Sequence, residues 1–182
     1  MVDEYNSLEL KIQAKTQPLR VCVIGLGGGG FHWEAQKIIQ LVKRPLELIL
    51  VFAGPKGGLI YWTSKDLIRA SYILPSPSLM GDNLPRKCFR LLYNGFQALL
   101  IVINEQPDVI LAVGSAQAIP FAIAGRILGT PLWFMESLTR ISGPSRTGYW
   151  IYRLGLAVRF YYYWRDLARH YGGGYSMEKP QR

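Results

Sequence analysis

The sequence predicts an α/β fold, a Rossmann-like, doubly wound and mostly parallel sheet. Apolar runs bounded by glycine or proline alternate along the chain with segments of helical periodicity. The connections between these runs are short, as in consecutive βαβ units. With 182 residues the chain is long enough for one such domain with a buried core. We place this domain at residues 19–171, between a flexible N-terminal segment, 1–18, and a flexible tail, 172–182.

Six strands are expected, each a short apolar or β-prone run. The first, "LRVCVIG" (19–25), is continuously apolar and ends at glycine, as buried parallel strands do. The other five strands are predicted at 46–54, 71–75, 107–115, 130–137 and 157–164. Helices are predicted at about 33–43, 63–69, 85–105 and 116–128, with a short one after the polar loop 138–148. Residues 75–85 are rich in proline and serine and predict an irregular loop.

The charge balance predicts a partner that carries phosphate. The chain has a net charge of +9, and its last third, from Arg126 onward, is especially basic. No recognised DNA- or RNA-binding module accompanies these charges, so we expect no nucleic-acid partner. Cys22 and Cys88 form no disulfide framework, which fits a reducing compartment. The N-terminus is polar, and no apolar stretch reaches about 18 residues, so we expect neither a signal peptide nor a membrane span.

The first strand leads into the stretch "GLGGGG", residues 25–30. Gly25, Gly27 and Gly30 match the G-x-G-x-x-G pattern between a strand and a helix. Without Cβ atoms, their N–H groups can approach an oxyanion at a helix N-terminus. A tight turn without any ligand is the alternative interpretation. We predict that this turn binds a phosphate or diphosphate through Gly27, Gly28, Gly29 and Gly30.

A dinucleotide site requires more than these glycines. The second strand should end in Asp or Glu, which binds the ribose hydroxyls, but it ends at Ala53 and Gly54. A Rossmann-type oxidoreductase with NAD or FAD therefore stays as the second hypothesis. The first hypothesis, that the turn binds a phosphate or diphosphate without a dinucleotide, requires no cofactor and no metal.

Three stretches carry a resemblance to a known family. They are "PDVILAVGSAQAIPFAIAGRILGTPLWFMESLTR" (107–140), "SRTGYWIYRLGLAVRFYYYW" (145–164), and the glycine stretch with its following "EAQKI". The chain resembles, from about Leu19 to Tyr171, the membrane-side subunit of the two-part N-acetylglucosaminyltransferase of dolichol-linked oligosaccharide assembly. It is similar also to bacterial exopolysaccharide counterparts of that subunit.

The resemblance implies the N-terminal half of a GT-B glycosyltransferase. Such a subunit binds a lipid-linked diphosphate acceptor at the cytoplasmic membrane face. A separate small protein supplies the C-terminal half, which binds the UDP-sugar. One position departs from the family pattern, in which two glycines precede a histidine, and two further residues separate that histidine from Glu. Phe31 stands in the place of that histidine and His32 follows it, so either an extra glycine restores His32 or its role is lost.

Sugar transfer requires a base for the acceptor hydroxyl and positive groups for the leaving diphosphate. The predicted catalytic residues are His32, Glu34 and Glu136. His32 is the candidate base, Glu34 either orients it or takes the proton, and Glu136 ends the fifth strand, where the sites of such sheets gather. Simple packing of His32, a helix-dipole role for Glu34 and an ion pair of Glu136 with Arg140 are the structural alternatives. The predicted acceptor-binding residues also include Gly114, Ser115 and Arg140.

The helix predicted at 85–105 is amphipathic. One arc carries the polar side chains of Arg86, Lys87, Arg90, Asn94 and Gln97. The opposite arc carries Cys88, Leu92, Phe96, Leu99 and Ile103. We predict membrane contact through Arg86, Lys87, Arg90 and Trp150, assisted by the apolar residues of 78–80 and 148–153. A solvated basic face and ordinary core packing are the alternatives.

Overall fold

A seven-stranded, entirely parallel sheet forms the centre of the described part of the protein. The computed structural model describes residues 18–27, 30–40, 42, 44–54, 68–76, 83–172 and 175–176. The strands are β1 (Leu19–Leu26), β2 (Leu46–Ala53), β3 (Ile68–Leu74), β4 (Val109–Val113), β5 (Leu132–Met135), β6 (Arg159–Tyr162) and β7 (Tyr175–Ser176). Their spatial order is β3-β2-β1-β4-β5-β6-β7. The predicted fold class is therefore confirmed.

Helices follow most of the strands. They are α1 (Phe31–Gln40), α2 (Leu84–Glu105), α3 (Ala118–Leu128), α4 (Arg146–Arg153) and a 3₁₀ helix (Arg165–Arg169). Helix α2 begins with Pro85 in its first turn, where proline needs no hydrogen-bond acceptor. Helix α4 begins after Ser145, whose hydroxyl accepts a hydrogen bond from the Gly148 N–H.

Two segments differ from the predicted secondary structure. The sequence predicts a helix from residue 63 or 64 to Arg69, but Ile68 and Arg69 lie in β3, the strand that pairs with β2. Residues 63–67 lie outside the described residues. The short strand β7 lies in the segment expected as a flexible tail, and its two residues pair with Tyr161 and Tyr162 of β6.

The apolar core is divided between the two faces of the sheet. On one face, α2, α3 and α4 cover a cluster that includes Ile24, Phe121 and Phe134. On the other face, α1 packs on β1 and β4 over a cluster that includes Val23 and Val113. The strands β1, β2 and β4 are almost wholly buried, which explains their continuous apolar sequences.

Amphipathicity alone indicates that helix α2 packs on the core with its apolar arc, but in the structure part of the polar arc packs on the core. Asn94, from the polar arc, is fully buried, and its side-chain amide donates to the carbonyl oxygens of Pro75 and Arg90. Ala98 and Ile101 continue the packed face. Most of the apolar arc points outward instead, while Leu99 is half-buried against the core. The exposed large side chains of the arc are Leu92, Phe96 and Ile103, and Phe89 beside them is exposed as well.

Candidate functional site

The candidate site lies where the direction of strand order reverses, at the carboxyl ends of β1 and β4. In doubly wound sheets, ligands bind in the crevice at this position. Gly25, one residue before the end of β1, has a φ of +87°, and a Cβ on it would lie 2.5 Å from Ser115 Cβ. The end of β1 and the residues after β4 are thus in close contact, and the predicted acceptor-binding role of Gly114 and Ser115 stays a prediction.

The turn after β1 contains one glycine that packing requires and one that it does not. A Cβ on Gly27 would lie 2.6 Å from Ala53 Cβ and 2.7 Å from the Ala53 oxygen, at the end of β2. Gly30 is exposed, and the nearest atom to a Cβ there would be Glu34 Oε1 at 3.6 Å, an ordinary contact. Gly28 and Gly29 lie outside the described residues. The structure therefore gives a packing reason for Gly27 and none for Gly30.

The same contact bears on the dinucleotide alternative. A Cβ on Gly27 would contact Ala53, which stands at the end of β2, where a dinucleotide site carries its acidic residue. The methyl side chain of Ala53 cannot accept a hydrogen bond from a ribose hydroxyl. This geometry disfavours the oxidoreductase hypothesis.

Phe31, and not His32, is the side chain of α1 that lies against the end of β4. Gly114 has a φ of +51°, and a Cβ on it would lie 2.9 Å from both Phe31 Cε1 and Ser137 Cβ. His32 is half-buried on the next position of the helix, about 100° further around its axis. The role of His32 as a base stays a prediction.

Glu34 connects the glycine turn with the segment after β5. Its backbone N–H donates to the Gly30 oxygen at 2.9 Å, and its carboxylate is buried. Oε1 lies 3.4 Å from Ser137 Oγ, and Oε2 accepts from the Leu138 N–H at 3.4 Å. Burial raises the pKa of Glu34, and the nearby charge of Glu136 raises it further, while the two hydrogen bonds oppose this shift.

Glu136 is fully buried and its carboxylate is held by several donors. Oε2 accepts hydrogen bonds from the Ser145 N–H and Ser145 hydroxyl, both at 3.0 Å, and from the Tyr171 hydroxyl at 2.7 Å. Oε1 accepts from the Ser137 N–H at 3.2 Å. Burial and the Glu136 charge raise the pKa of Tyr171, so the phenol stays a donor.

This geometry favours a structural role for Glu136 over the predicted catalytic one. The carboxylate faces the protein interior and joins both ends of the loop between β5 and α4. The side chain of Tyr171 comes from beyond β6, so the network also holds the end of the domain. The ion pair considered with Arg140 is replaced by these hydrogen bonds, and Arg140 is exposed.

Sequence reasoning missed Ser137, Ser145 and Tyr171. Ser145 had a signal, since a serine three residues before a glycine in a short helix suits an N-cap. Tyr171 had none, because its partner is 35 residues away. Gln117 was also missed. It is fully buried at the start of α3, and neither polar atom of its side-chain amide has a hydrogen-bond partner.

The residues predicted to contact a membrane lie on two helices. Arg86 is exposed at the start of α2 and Arg90 is half-buried, while the side chain of Lys87 lies outside the described part. Trp150 on α4 is exposed and forms an edge-to-face contact with Tyr149. Residues 78–80 also lie outside the described residues. None of the helices in the described part of the chain is long and apolar enough to span a bilayer.

The chain is similar in sequence to two curated enzymes. Each is named UDP-N-acetylglucosamine--N-acetylmuramyl-(pentapeptide) pyrophosphoryl-undecaprenol N-acetylglucosamine transferase. That of Syntrophus aciditrophicus (strain SB) is 28% identical over 115 residues, which cover 61% of this chain and 32% of the relative. That of Protochlamydia amoebophila (strain UWE25) is 28% identical over 153 residues, covering 78% and 39%. The chain thus spans less than two fifths of the length of either relative. No protein-family model matches it.

Solved structures agree on the fold. The crystal structure of Acinetobacter baumannii MurG superimposes with a TM-score of 0.60 at 18% identity, covering 80% of this chain and 41% of that one. A UDP-N-acetylglucosamine 2-epimerase gives a TM-score of 0.54 at 10% identity, covering 85% and 44%. These likenesses concern the fold alone. The relatives support UDP-N-acetylglucosamine transferases as the wider group of the predicted resemblance, and the two-part subunit stays a prediction.

Proposed function

We propose that the chain is the acceptor-binding half of a UDP-sugar glycosyltransferase. It holds a lipid-linked diphosphate acceptor at the cytoplasmic face of a membrane and recruits a UDP-sugar-binding partner, for the synthesis of an oligosaccharide or exopolysaccharide. The observation that carries this proposal is the exposed Gly30 at the switch point of the sheet, for which packing gives no reason. Two relatives whose names include a pyrophosphoryl-undecaprenol acceptor support it.

The glycine turn suits a diphosphate on electrostatic grounds. Its N–H groups precede the N-terminus of α1, where the helix dipole favours negative charge. Arg140 is exposed after β5, at the same edge of the sheet, and can add a charge-assisted hydrogen bond. The buried Glu34 carboxylate lies beside Gly30, and the hydrogen bonds from Ser137 and the Leu138 N–H hold it towards the segment after β5.

The transfer step then requires groups from both halves. The acceptor hydroxyl loses its proton to a base as its oxygen attacks the sugar C1, and UDP leaves with the bonding electron pair. His32 is our candidate for the base, at the start of α1. Glu34 positions the turn through Ser137 and Leu138. The partner binds UDP and stabilises its charge as it leaves.

The apolar surface of α2 provides the membrane contact. Phe89, Leu92 and Phe96 project outward, and Arg86 is exposed one turn before them. Arg86, Lys87 and Arg90 near an anionic leaflet contribute only about 3 kcal/mol to membrane binding. The exposed apolar side chains therefore have to supply the rest of the binding free energy. Trp150 on α4 suits the interface between lipid and water.

Reconstitution tests the proposed function. We would co-express the chain with candidate partners, such as a small protein encoded beside it, and measure sugar transfer from UDP-N-acetylglucosamine to a prenyl-diphosphate-linked sugar. Transfer is expected only with a partner present. Gly30→Ala should reduce transfer by about tenfold or more, whereas the control Gly172→Ala, at an exposed glycine with open space around it, should leave it unchanged. Turnover by the chain alone would contradict the proposal.

A further inference from the structure

An apolar cavity of about 440 Å³ lies beside the glycine turn. It opens between the first turns of α1 and the segments that follow β5 and β6. Its apolar lining comprises Trp33, Ile38, Met135, Leu138, Tyr163 and Trp164. The volume lies within the range of small-molecule sites in proteins, about 300 to 1,000 Å³.

Two polar groups in the cavity wall are already engaged by other parts of the protein. The indole N–H of Trp164 donates to the Leu138 oxygen at 2.7 Å. The Glu34 carboxylate, which also lines the cavity, is engaged by Ser137 and Leu138. A sugar or a nucleotide base would lose its hydrogen bonds to water here without replacing them. The lining therefore suits a hydrocarbon.

One charged group stands at the mouth of the cavity. Lys37 Nζ lies 5.3 Å from the centroid of the Trp33 ring, and Trp33 is 52% exposed. A cation at the entrance of a hydrocarbon site complements a ligand with an apolar body and an anionic head. A prenyl diphosphate has this distribution of charge.

The cavity and the glycine turn share a wall. Glu34 lines the cavity, and its Oε1 lies 3.6 Å from the point where a Gly30 Cβ would be. Trp33 and Lys37 follow the turn on the same helix. One ligand can therefore place a phosphate on the turn and the carbon chain next to it in the cavity.

We propose that this cavity binds the isoprenoid units nearest the diphosphate of the lipid-linked acceptor. This inference rests on the proposed function and adds a specificity site to it: the chain selects its acceptor by the proximal prenyl group as well as by the diphosphate. The exposed face of α2 is a separate surface, because α2 packs on the opposite face of the sheet from α1.

Binding measurements with two probes test the inference. We would titrate the full chain with farnesyl diphosphate and with inorganic diphosphate by calorimetry. Farnesyl diphosphate should bind about tenfold tighter or more, because its hydrocarbon leaves water. Ile38→Trp, which fills the cavity, should bring the ratio of the two affinities close to one and keep the affinity for inorganic diphosphate. The matched control Ile127→Trp, at a 66% exposed position on α3, should leave the ratio unchanged.

A second variant covers the case in which Ile38→Trp does not fold. Trp33 is half-exposed at the mouth, so Trp33→Ala should fold and lower the ratio severalfold. An unchanged ratio in both variants, or a ratio near one in the unaltered chain, would overturn the inference while the proposed function stood. Loss of self-association or of partner binding in Ile38→Trp, with the ratio unchanged, would identify the cavity as a protein interface and also overturn it. If neither probe bound, the proposed function itself would fail.

Discussion

The two edges of the sheet use charged residues in opposite ways. At the amino edge, charged side chains pair with each other. Arg69 donates to Glu47 at 3.2 Å and to Glu105 at 3.0 Å, and Arg20 lies 3.3 Å from Glu47. The Tyr72 hydroxyl donates to Glu105 at 2.5 Å. Arg20 and Arg69 each have a carboxylate beside them, so this network is complete without a ligand.

At the carboxyl edge, the carboxylates of Glu34 and Glu136 face inward and bind neutral donors. Glu136 is held by Ser145 and Tyr171, and Glu34 by Ser137 and a backbone N–H. The exposed groups there include Gly27, Gly30 and Arg140. Two carboxylates that face inward, beside exposed donors, suit this part of the edge to an anion. We therefore expect the amino edge to stabilise the domain, and we propose that the carboxyl edge binds the acceptor.

The largest effect is expected at Glu136. Glu136→Ala leaves the buried hydroxyls of Ser145 and Tyr171 without an acceptor, and should lower the free energy of unfolding by about 3 kcal/mol in urea denaturation. Glu136→Gln keeps an acceptor oxygen and should cost less. It should also retain transfer activity in the complex with a partner. A stable Glu136→Gln variant that lost activity at least about a hundredfold would restore the catalytic role that the sequence predicts.

A second difference is expected within the glycine turn. Gly27→Ala forces a Cβ against the backbone of Ala53 and should cost about 2 kcal/mol of stability. Gly30→Ala meets only an ordinary contact and should cost less than about 0.5 kcal/mol. Urea denaturation of the two variants measures both values. Equal losses would show that Gly30 is also a packing glycine, and would remove the observation that carries the proposed function.

The smallest effect is expected at the amino edge. Tyr72→Phe removes the hydrogen bond to Glu105 and should cost about 1 kcal/mol near neutral pH. That hydrogen bond raises the pKa of Tyr72 to about 12, above its ordinary value of 10.0. The unfolded chain therefore loses this proton first, so the stabilisation is complete below pH 10 and is lost as the pH rises towards 12. Unfolding measured across this range should show a steeper loss in the unaltered chain than in Tyr72→Phe.

The sequence predicts the sheet well because its strands carry strong local signals. The runs at 19–25 and 46–54 are continuously apolar, and both form central strands. The orientation of α2 could not be predicted in this way. Periodicity shows which residues share an arc, but which arc packs depends on contacts with other segments, such as the hydrogen bond of Asn94 to the Pro75 oxygen.

For the candidate site, the sequence predicts which strand ends come together but not the directions of the side chains. The sequence predicts Gly27, Gly114 and Ser115 at the carboxyl ends of β1 and β4, which meet at one edge of a parallel sheet; their role in binding stays a prediction. It does not show the direction of the Glu136 side chain. That direction depends on the hydrogen bond from Tyr171, which is 35 residues away in sequence and reaches Glu136 only in the folded chain. It also does not separate Phe31 from His32, since their difference is a rotation about the axis of α1.

Backbone NMR tests the central claim most directly, that the carboxyl edge binds a diphosphate. We would titrate the ¹⁵N-labelled chain with a prenyl-diphosphate-linked sugar and follow the amide signals. The account predicts the largest shifts at Gly27 to Gly30, smaller ones at Gly114 and Ser115, and none at Glu47 or Glu105 on the amino edge. Saturable binding that left the glycine amides unmoved, or that shifted the amino edge instead, would contradict it.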